Sequence, residues 1–175
     1  MFKRSLSLVI IFIFSMVFFL SGCSKTEDEP LFPARMGNQW GYINENGKMV
    51  VEPKFSAALD FSEGFAAVKS GEKIGYIDLS GKLAIKPQFE SGAAFSEGLA
   101  PVMVDGEIGY INPSGEFAID PQYELALEFS DGLAAVMVNG LFGFINSLGD
   151  MVIEPGFDDA ESFSDGLALV KIENS

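Results

Sequence analysis

Residues 99–132 read LAPVMVDGEIGYINPSGEFAIDPQYELALEFSDG, and this segment predicts the fold. Three short runs of β-forming residues are separated by the turn signals Asp105-Gly106 and Ser114-Gly115. The runs are residues 99–104, 108–112 and 117–119. Glycine-containing pairs between such runs are typical of hairpins, so the segment predicts a three-stranded antiparallel meander.

The end of the segment is less regular. Pro121 follows the third run, and we expect the strand to end there because proline has no backbone donor for a sheet. Residues 122–131 show no period-two alternation. We interpret them as a packed connecting loop with a helical turn around residues 124–127.

The segment recurs with a period of 34 and without insertion or deletion. The triplet Gly109-Tyr110-Ile111 returns as Gly41-Tyr42-Ile43, Gly75-Tyr76-Ile77 and Gly143-Phe144-Ile145. A proline followed by an aromatic residue recurs as Pro53/Phe55, Pro87/Phe89, Pro121/Tyr123 and Pro155/Phe157. A Phe-Ser-acid-Gly block begins at Phe61, Phe95, Phe129 and Phe163. We expect these strictly repeated aromatic residues to form the core.

The repeat divides the chain into units 31–64, 65–98, 99–132 and 133–166, followed by a final strand in 167–175. One unit is too small to bury its apolar face alone, so stacking must supply the core. The first run occurs five times, with a degraded copy at 31–36 that resembles a cap and an intact last copy at 167–172. The final strand either caps the stack or pairs back on the first unit.

We therefore predict an all-β fold in which the meanders stack as a β-hairpin solenoid. A small closed β-propeller is the alternative, although 34 residues per unit are few beside the ~40–45 of four-stranded blades.

The amino terminus carries a different signal. Lys3 and Arg4 precede an uncharged apolar run over residues 6–20, which is the layout of a secretory signal. The following Leu20-Ser21-Gly22-Cys23 resembles the lipobox of bacterial lipoproteins. The resemblance implies a signal peptide over 1–22, cleavage before Cys23, and a diacylglyceryl group on the Cys23 sulfur. An uncleaved membrane anchor and simple secretion are the alternatives.

Residues 23–30 are small, polar and mostly charged after the cysteine, so we interpret them as a flexible tether. Together with the lipobox resemblance, the tether predicts a domain anchored to a membrane by lipid, on the extracytoplasmic side of a bacterial cell envelope.

The repeated domain resembles the WG-repeat family of bacterial proteins. The resemblance rests on Trp40-Gly41-Tyr42-Ile43, on Pro53 with Phe55, and on the block that begins at Phe61, and it covers residues 31–172. The family tryptophan survives only at Trp40 and is replaced by Ile74, Ile108 and Phe142. These replacements favour a packing role for the position. The family implies a surface or extracytoplasmic β-repeat protein and says little about chemistry.

Composition excludes several classes of function. The chain has 25 acidic and 11 basic residues and a net charge of −14, so it repels nucleic-acid phosphates. It contains no histidine and one cysteine, so an intrachain disulfide, a histidine general base and a histidine-based metal site are impossible.

Three features are candidates for function. Glu63, Glu97, Asp131 and Asp165 share one repeat position and form an acidic ladder. A carboxylate row can bind Ca²⁺, but the flanking Ser and Gly favour a turn role. No basic residue occurs between Lys86 and Lys171, where 15 acidic residues lie. The densest cluster there, a candidate docking face for a basic partner, is Glu154, Asp158, Asp159, Glu161 and Asp165.

The third feature is the aromatic column of Tyr42, Tyr76, Tyr110 and Phe144, whose rings could stack on a sugar as surface aromatics do in carbohydrate-binding modules. Taken together, the sequence predicts a non-enzymatic binding or scaffolding module for an envelope protein or a cell-wall polymer. We expect no cofactor beyond the covalent diacylglyceryl group. The alternative is a carboxylate-based hydrolase or an accessory subunit of an envelope enzyme.

Overall fold

The computed structural model describes residues 29–173, and these residues form β-strands and turns without a helix. Accordingly, this part of the chain holds no apolar helix long enough to span a bilayer. The first strands of the units are β1 (Leu31–Met36), β5 (Phe65–Ser70), β9 (Ala100–Val104) and β13 (Leu133–Val138). The second strands are β2 (Gln39–Asn44), β6 (Lys73–Asp78), β10 (Glu107–Ile111) and β14 (Leu141–Asn146).

The third strands are β3 (Met49–Phe55), β7 (Leu83–Phe89), β11 (Phe117–Tyr123) and β15 (Met151–Phe157). Each is followed by a two-residue strand: β4 (Ala57–Ala58), β8 (Ser91–Gly92), β12 (Leu125–Ala126) and β16 (Asp159–Ala160). The last strand is β17 (Val170–Lys171).

The strands form small antiparallel sheets, which confirms the predicted all-β repeat fold. Three sheets have the strand orders β4-β5-β6-β7, β8-β9-β10-β11 and β12-β13-β14-β15. The first sheet contains β1-β2-β3 and the last contains β16-β17. The meanders of the second, third and fourth units are thus each extended by a short strand contributed from the preceding unit.

This short strand corrects the expected helical turn around residues 124–127, which is wrong. Leu125 pairs with Met137 and Ala126 pairs with Val136, so the connecting segment is extended. Its backbone groups find partners on the next unit's first strand. A helical turn would have to satisfy them locally.

The predicted hairpin turn at Asp105-Gly106 is confirmed. Asp105 has φ 52° and Gly106 has φ 82°. Two consecutive residues in the left-handed region define the type I′ turn, whose twist matches that of the flanking strands.

The third strand does not end at the proline, contrary to the sequence prediction. Strand β11 continues to Tyr123, and its register on β10 shifts between the pairs Tyr110↔Ile119 and Ile108↔Tyr123. Pro121 lies in the resulting bulge. A bulge residue does not have to donate a backbone hydrogen bond to the neighbouring strand, so proline is tolerated there.

The bulge explains the repeated glycine of the second strand. A Cβ placed on Gly109 would lie 2.5 Å from the Ile119 carbonyl oxygen and 2.6 Å from the Pro121 nitrogen. The kinked third strand therefore passes where a side chain would stand. Equivalent approaches occur at Gly41, Gly75 and Gly143. The repeated glycine of the second strand and the repeated proline of the third strand are therefore the two partners of one close backbone contact.

The core lies between successive units. Tyr76, Phe89 and Phe95 of the second unit pack with Ala100 and Val102 of the third in one buried cluster. A second cluster joins the third and fourth units in the same way. Stacking therefore supplies the core, as expected from the size of one unit.

The first and last copies of the first strand differ from what their sequences suggest. The degraded first copy forms the complete strand β1, paired along its length with β2. The intact last copy forms only β17, which pairs with β16. Among residues 29–173 that last copy has no following second strand to extend its pairing. Since β17 pairs with β16 and not with β1, strand pairing does not close a ring, and the arrangement is an open, solenoid-like repeat.

Candidate binding surface

The predicted lipidation residue, Cys23, lies outside the described residues, as do the signal segment 1–22 and most of the tether. The tether's last two residues, Glu29 and Pro30, are described. The Glu29 carboxylate accepts a hydrogen bond of 3.0 Å from the Asn44 side-chain amide at the end of β2. The chain therefore makes a side-chain contact with the domain just before β1.

The acidic ladder occupies tight turns, as predicted. Glu63, Glu97, Asp131 and Asp165 have φ between 51° and 54°, and each is followed by a glycine with positive φ. In each turn the preceding serine forms a bridge with the residue after the glycine. The predicted turn role is confirmed.

The carboxylates of the ladder also join neighbouring units, which the sequence reading missed. Three of the four, all except Asp165, accept a hydrogen bond from the backbone N–H of the turn glycine one unit later. The bonds run from Gly98 to Glu63 at 2.9 Å, from Gly132 to Glu97 at 3.0 and 3.2 Å, and from Gly166 to Asp131 at 2.8 Å. The described residues contain no group of three or more acidic side chains arranged to hold a metal ion.

The serine of the same block forms a second row of contacts. Ser62 Oγ donates to the Phe95 carbonyl at 2.6 Å, and Ser96 Oγ donates to the Phe129 carbonyl at 2.7 Å. The first and second units are thus each joined to the next by one side-chain bond to a carbonyl and one to an N–H. The third unit is joined to the fourth by the bond from the Gly166 N–H to Asp131. The sequence does contain a signal for these contacts between units, because a serine followed by an acidic residue recurs with period 34.

A polar groove of about 350 Å³ runs along this row of contacts. We call it the seam groove. It is lined by Ser62, Ala94, Phe95, Ser96, Glu128, Phe129, Ser130 and Ser162. Its lining combines serine hydroxyls, one carboxylate and the apolar residues Ala94, Phe95 and Phe129, and it includes no positively charged residue.

The predicted acidic cluster lies at the opposite end of the array from β1. All five side chains, on Glu154, Asp158, Asp159, Glu161 and Asp165, belong to exposed residues. Asp158 accepts a hydrogen bond from the Glu173 N–H, and Asp165 lies in the last tight turn.

Only two members of the cluster share a cleft. Asp159 and Glu161 line an end groove of about 340 Å³ together with Ala160, Leu169, Val170 and Lys171. Leu167 and Leu169 are 76% and 69% exposed beside it. The end of the array therefore combines carboxylates with uncovered aliphatic side chains.

The aromatic column cannot stack on a sugar, so that expectation is wrong. Tyr42, Tyr76 and Tyr110 are fully buried and Phe144 is 1% exposed. Each of the three hydroxyls instead donates to a backbone carbonyl 17 residues later. The bonds reach Leu59 at 2.8 Å, Ala93 at 2.9 Å and Leu127 at 2.6 Å.

Burial raises the pKa of Tyr42, Tyr76 and Tyr110 well above the ordinary value. Desolvation is the largest cause in each. Nearby charge adds to it, from Asp60 for Tyr42 and from Glu128 for Tyr76. For Tyr110 the neighbouring Tyr123 contributes more than Glu128. These hydroxyls therefore act as neutral structural donors.

The fold and its seam define a class of protein built from tandem β-repeats. Within that class, the sequence pattern of the WG containing repeat matches residues 40–73, 74–107, 108–142 and 142–175. The chain belongs to the WG-repeat family. The family pattern begins at the second strand, with Trp40, Ile74, Ile108 and Phe142 at its first position. Ile108 and Phe142 are buried and Trp40 and Ile74 are half-buried, which agrees with a packing role.

Comparison with curated proteins gives no match. Among solved structures, a eukaryotic initiation factor is 16% identical with a TM-score of 0.51, over 76% of this chain and 43% of that one. The computationally designed Ika4 protein is 16% identical with a TM-score of 0.46, over 63% of this chain and 80% of its own. A 2S albumin seed protein from Dolichos is 10% identical with a TM-score of 0.32, over 83% and 88%. The initiation factor shares the fold alone.

Proposed function

We propose that this protein is a lipid-anchored, extracytoplasmic lipoprotein whose β-repeat domain acts as a non-enzymatic binding or scaffolding module. Its partner is a basic envelope protein or a cell-wall polymer. The observation that carries the proposal is the end of the array, where the exposed acidic cluster adjoins the end groove and the uncovered Leu167 and Leu169. Desolvated aliphatic contacts supply affinity, and the surrounding carboxylates supply steering and partner selection.

The anchor follows from the resemblance of Leu20-Ser21-Gly22-Cys23 to a lipobox. Acyl chains contribute about 0.8 kcal/mol per buried methylene, so two or three chains hold a domain stably at a membrane. The tether before β1 then presents the domain outside the bilayer.

The anchor is tested in the producing cell by mass spectrometry of the mature amino terminus. We expect a diacylglyceryl-modified Cys23 in the membrane fraction, and Cys23→Ala should abolish the modification and cleavage by signal peptidase II. Ser21→Ala serves as a control that keeps a small residue near the cut. An unmodified Cys23 in a processed, membrane-bound chain would contradict this part of the proposal.

Partner binding is tested by incubating the full anchored chain with purified wall material and envelope extracts at low ionic strength. Neutralising the cluster (Glu154→Gln, Asp158→Asn, Asp159→Asn, Glu161→Gln, Asp165→Asn) should reduce retention about tenfold or more. High salt should do the same, because exposed charges are screened.

A matched variant separates the cluster from net charge. Asp105→Asn, Glu107→Gln, Glu116→Gln, Asp120→Asn and Glu124→Gln also remove five exposed charges, but from the third unit. This variant should retain the partner. Equal loss in both variants, or no retained partner from either source at low salt, would count against the proposed function.

A further inference from the structure

One lining position of the seam groove holds a different residue in every unit. Glu128 lines it, and the repeat equivalents of Glu128 are Asp60, Ala94 and Ser162. Ala94 and Ser162 also line the groove, on the neighbouring units. Both are smaller than glutamate, and Glu128 supplies the one carboxylate among the lining residues of the groove.

The polar groups of the groove include backbone carbonyls and serine hydroxyls beside the carboxylate. The Phe95 and Phe129 carbonyls each accept one serine hydroxyl, and a carbonyl oxygen has a second lone pair. The seam bond is not repeated from Ser130 to Phe163 within residues 29–173, so the Ser130 hydroxyl lines the groove without this contact. The negative charge of Glu128 is among the causes that raise the pKa of Tyr76 on the preceding unit and of Tyr110 on its own unit.

These groups define the chemistry of a ligand. A carboxylate flanked by carbonyl and hydroxyl oxygens fits a protonated amine, which has three donors and no acceptor. The methylene stem of a lysine would face a mostly polar wall, whereas the hydroxyls of a sugar would find the serine hydroxyls along the groove. A volume of about 350 Å³ is also within the range of small-molecule sites.

We infer that the seam groove binds an amino sugar, with the protonated amine on Glu128 and the sugar hydroxyls on Ser130 and Ser162. The lining of the groove includes no residue of the acidic cluster, so the two proposals can fail independently. The ligand expected in the groove is therefore a glycan that bears free amines.

The test measures binding to the full chain in detergent micelles by isothermal titration calorimetry, with glucosamine as the probe. We expect a dissociation constant on the order of 1 mM, because a single sugar in an open groove makes few contacts. Glucose and N-acetylglucosamine, which lack the charged amine, should bind about tenfold more weakly or not at all.

Two variants locate the site. Glu128→Gln should weaken glucosamine binding about tenfold. Glu124→Gln removes an exposed carboxylate from the same segment, outside the groove lining, and should leave binding within about twofold. Ser162→Gln, which adds volume beside Glu128, should also abolish binding. Thermal unfolding of each variant should match that of the parent chain.

Several results would overturn the inference. They are absence of glucosamine binding up to about 10 mM, equal loss in the Glu128 and Glu124 variants, and equal binding of N-acetylglucosamine. Equal binding of a blocked lysine amide, which carries its amine on a methylene stem, would overturn the assignment to a sugar.

Discussion

Phe144 differs from the tyrosines of its column by one hydroxyl group, and the structure shows what that hydroxyl does in the other units. The Phe144 and Phe163 rings pack 5.0 Å apart at 76°, much as Tyr42 and Phe61 pack 5.0 Å apart at 66°. The ring of Phe144 is therefore placed as a tyrosine would be. The carbonyl 17 residues later is that of Glu161.

We predict that Phe144→Tyr stabilises the domain by about 1 kcal/mol, the usual net contribution of a buried hydrogen bond. The control is Tyr110→Phe, which removes the 2.6 Å bond to Leu127 and should destabilise by about 1 kcal/mol. Denaturant unfolding measures both. A loss of stability in Phe144→Tyr would show that the fourth unit does not reproduce the geometry of the others.

The buried tyrosines should also determine how the domain unfolds at high pH. Burial is the main reason that all four have a pKa above the ordinary 10.0. A raised pKa in the folded state means that folding favours the neutral tyrosine. Its contribution to the free energy of unfolding is fully present below pH 10 and is lost as the pH rises beyond it. Tyrosinate absorbance should therefore appear together with loss of the β-sheet circular dichroism. Ionisation near pH 10 in a folded chain would contradict this.

Replacement of Gly109 by even the smallest side chain should strongly destabilise the domain. An added methyl group would meet the backbone of the kinked third strand at 2.5 to 2.8 Å, so Gly109→Ala should destabilise by about 3 kcal/mol, at the upper end for overpacking. Gly156→Ala is the control in strand β15, because its Cβ meets only one atom, at 3.8 Å. We expect that variant to change thermal stability little. Equal effects would exclude the close approach as the cause.

At the scale of the elements, the seam is tested by two aspartates in equivalent turns. Asp131 and Asp165 have φ of 53° and 54°, but only Asp131 accepts a bond from a following glycine within the described residues. Asp131→Ala should therefore cost about 1 kcal/mol more than Asp165→Ala in unfolding free energy. The intrinsic penalty for alanine at positive φ cancels in the comparison. No difference would mean that the exposed bond contributes nothing to stability.

The elements that the sequence predicted correctly are those specified within about ten residues. The Asp105-Gly106 turn requires only the local preference for positive φ, and the runs on either side of it form strands as expected. The period of 34 then extends that local reading along the chain.

The features that could not be predicted from the sequence depend on contacts between residues that are far apart in the chain. Pro121 continues a strand because Gly109 leaves space for the bulge, and Leu125 is extended because Met137 pairs with it. Likewise, the ladder carboxylates bond to glycines 35 residues away. The seam groove could not be read from sequence either, because it exists only where side chains from successive units leave space between them.

At the scale of the whole molecule, the array behaves as a one-dimensional stack in which each unit is stabilised by its neighbours. An internal unit is covered on both sides: Ala134, Ala135 and Val136 of β13 are fully buried. In the last copy of that strand, the corresponding Leu169 and neighbouring Leu167 are largely exposed. The apolar contacts that hold β17 are therefore fewer than those that hold β13.

This difference predicts a gradient of local stability that hydrogen exchange can measure. Backbone amides of β16 and β17 should exchange at least about tenfold faster than those of the equivalent pair β12 and β13, because opening at the end exposes less new apolar surface. The pair β8 and β9, which is also internal, is the control and should match β12 and β13. Uniform protection would mean that the array unfolds as one cooperative body. A bound partner at the acidic end should slow exchange in β16 and β17 selectively, since a ligand that binds only the closed form stabilises the elements it contacts.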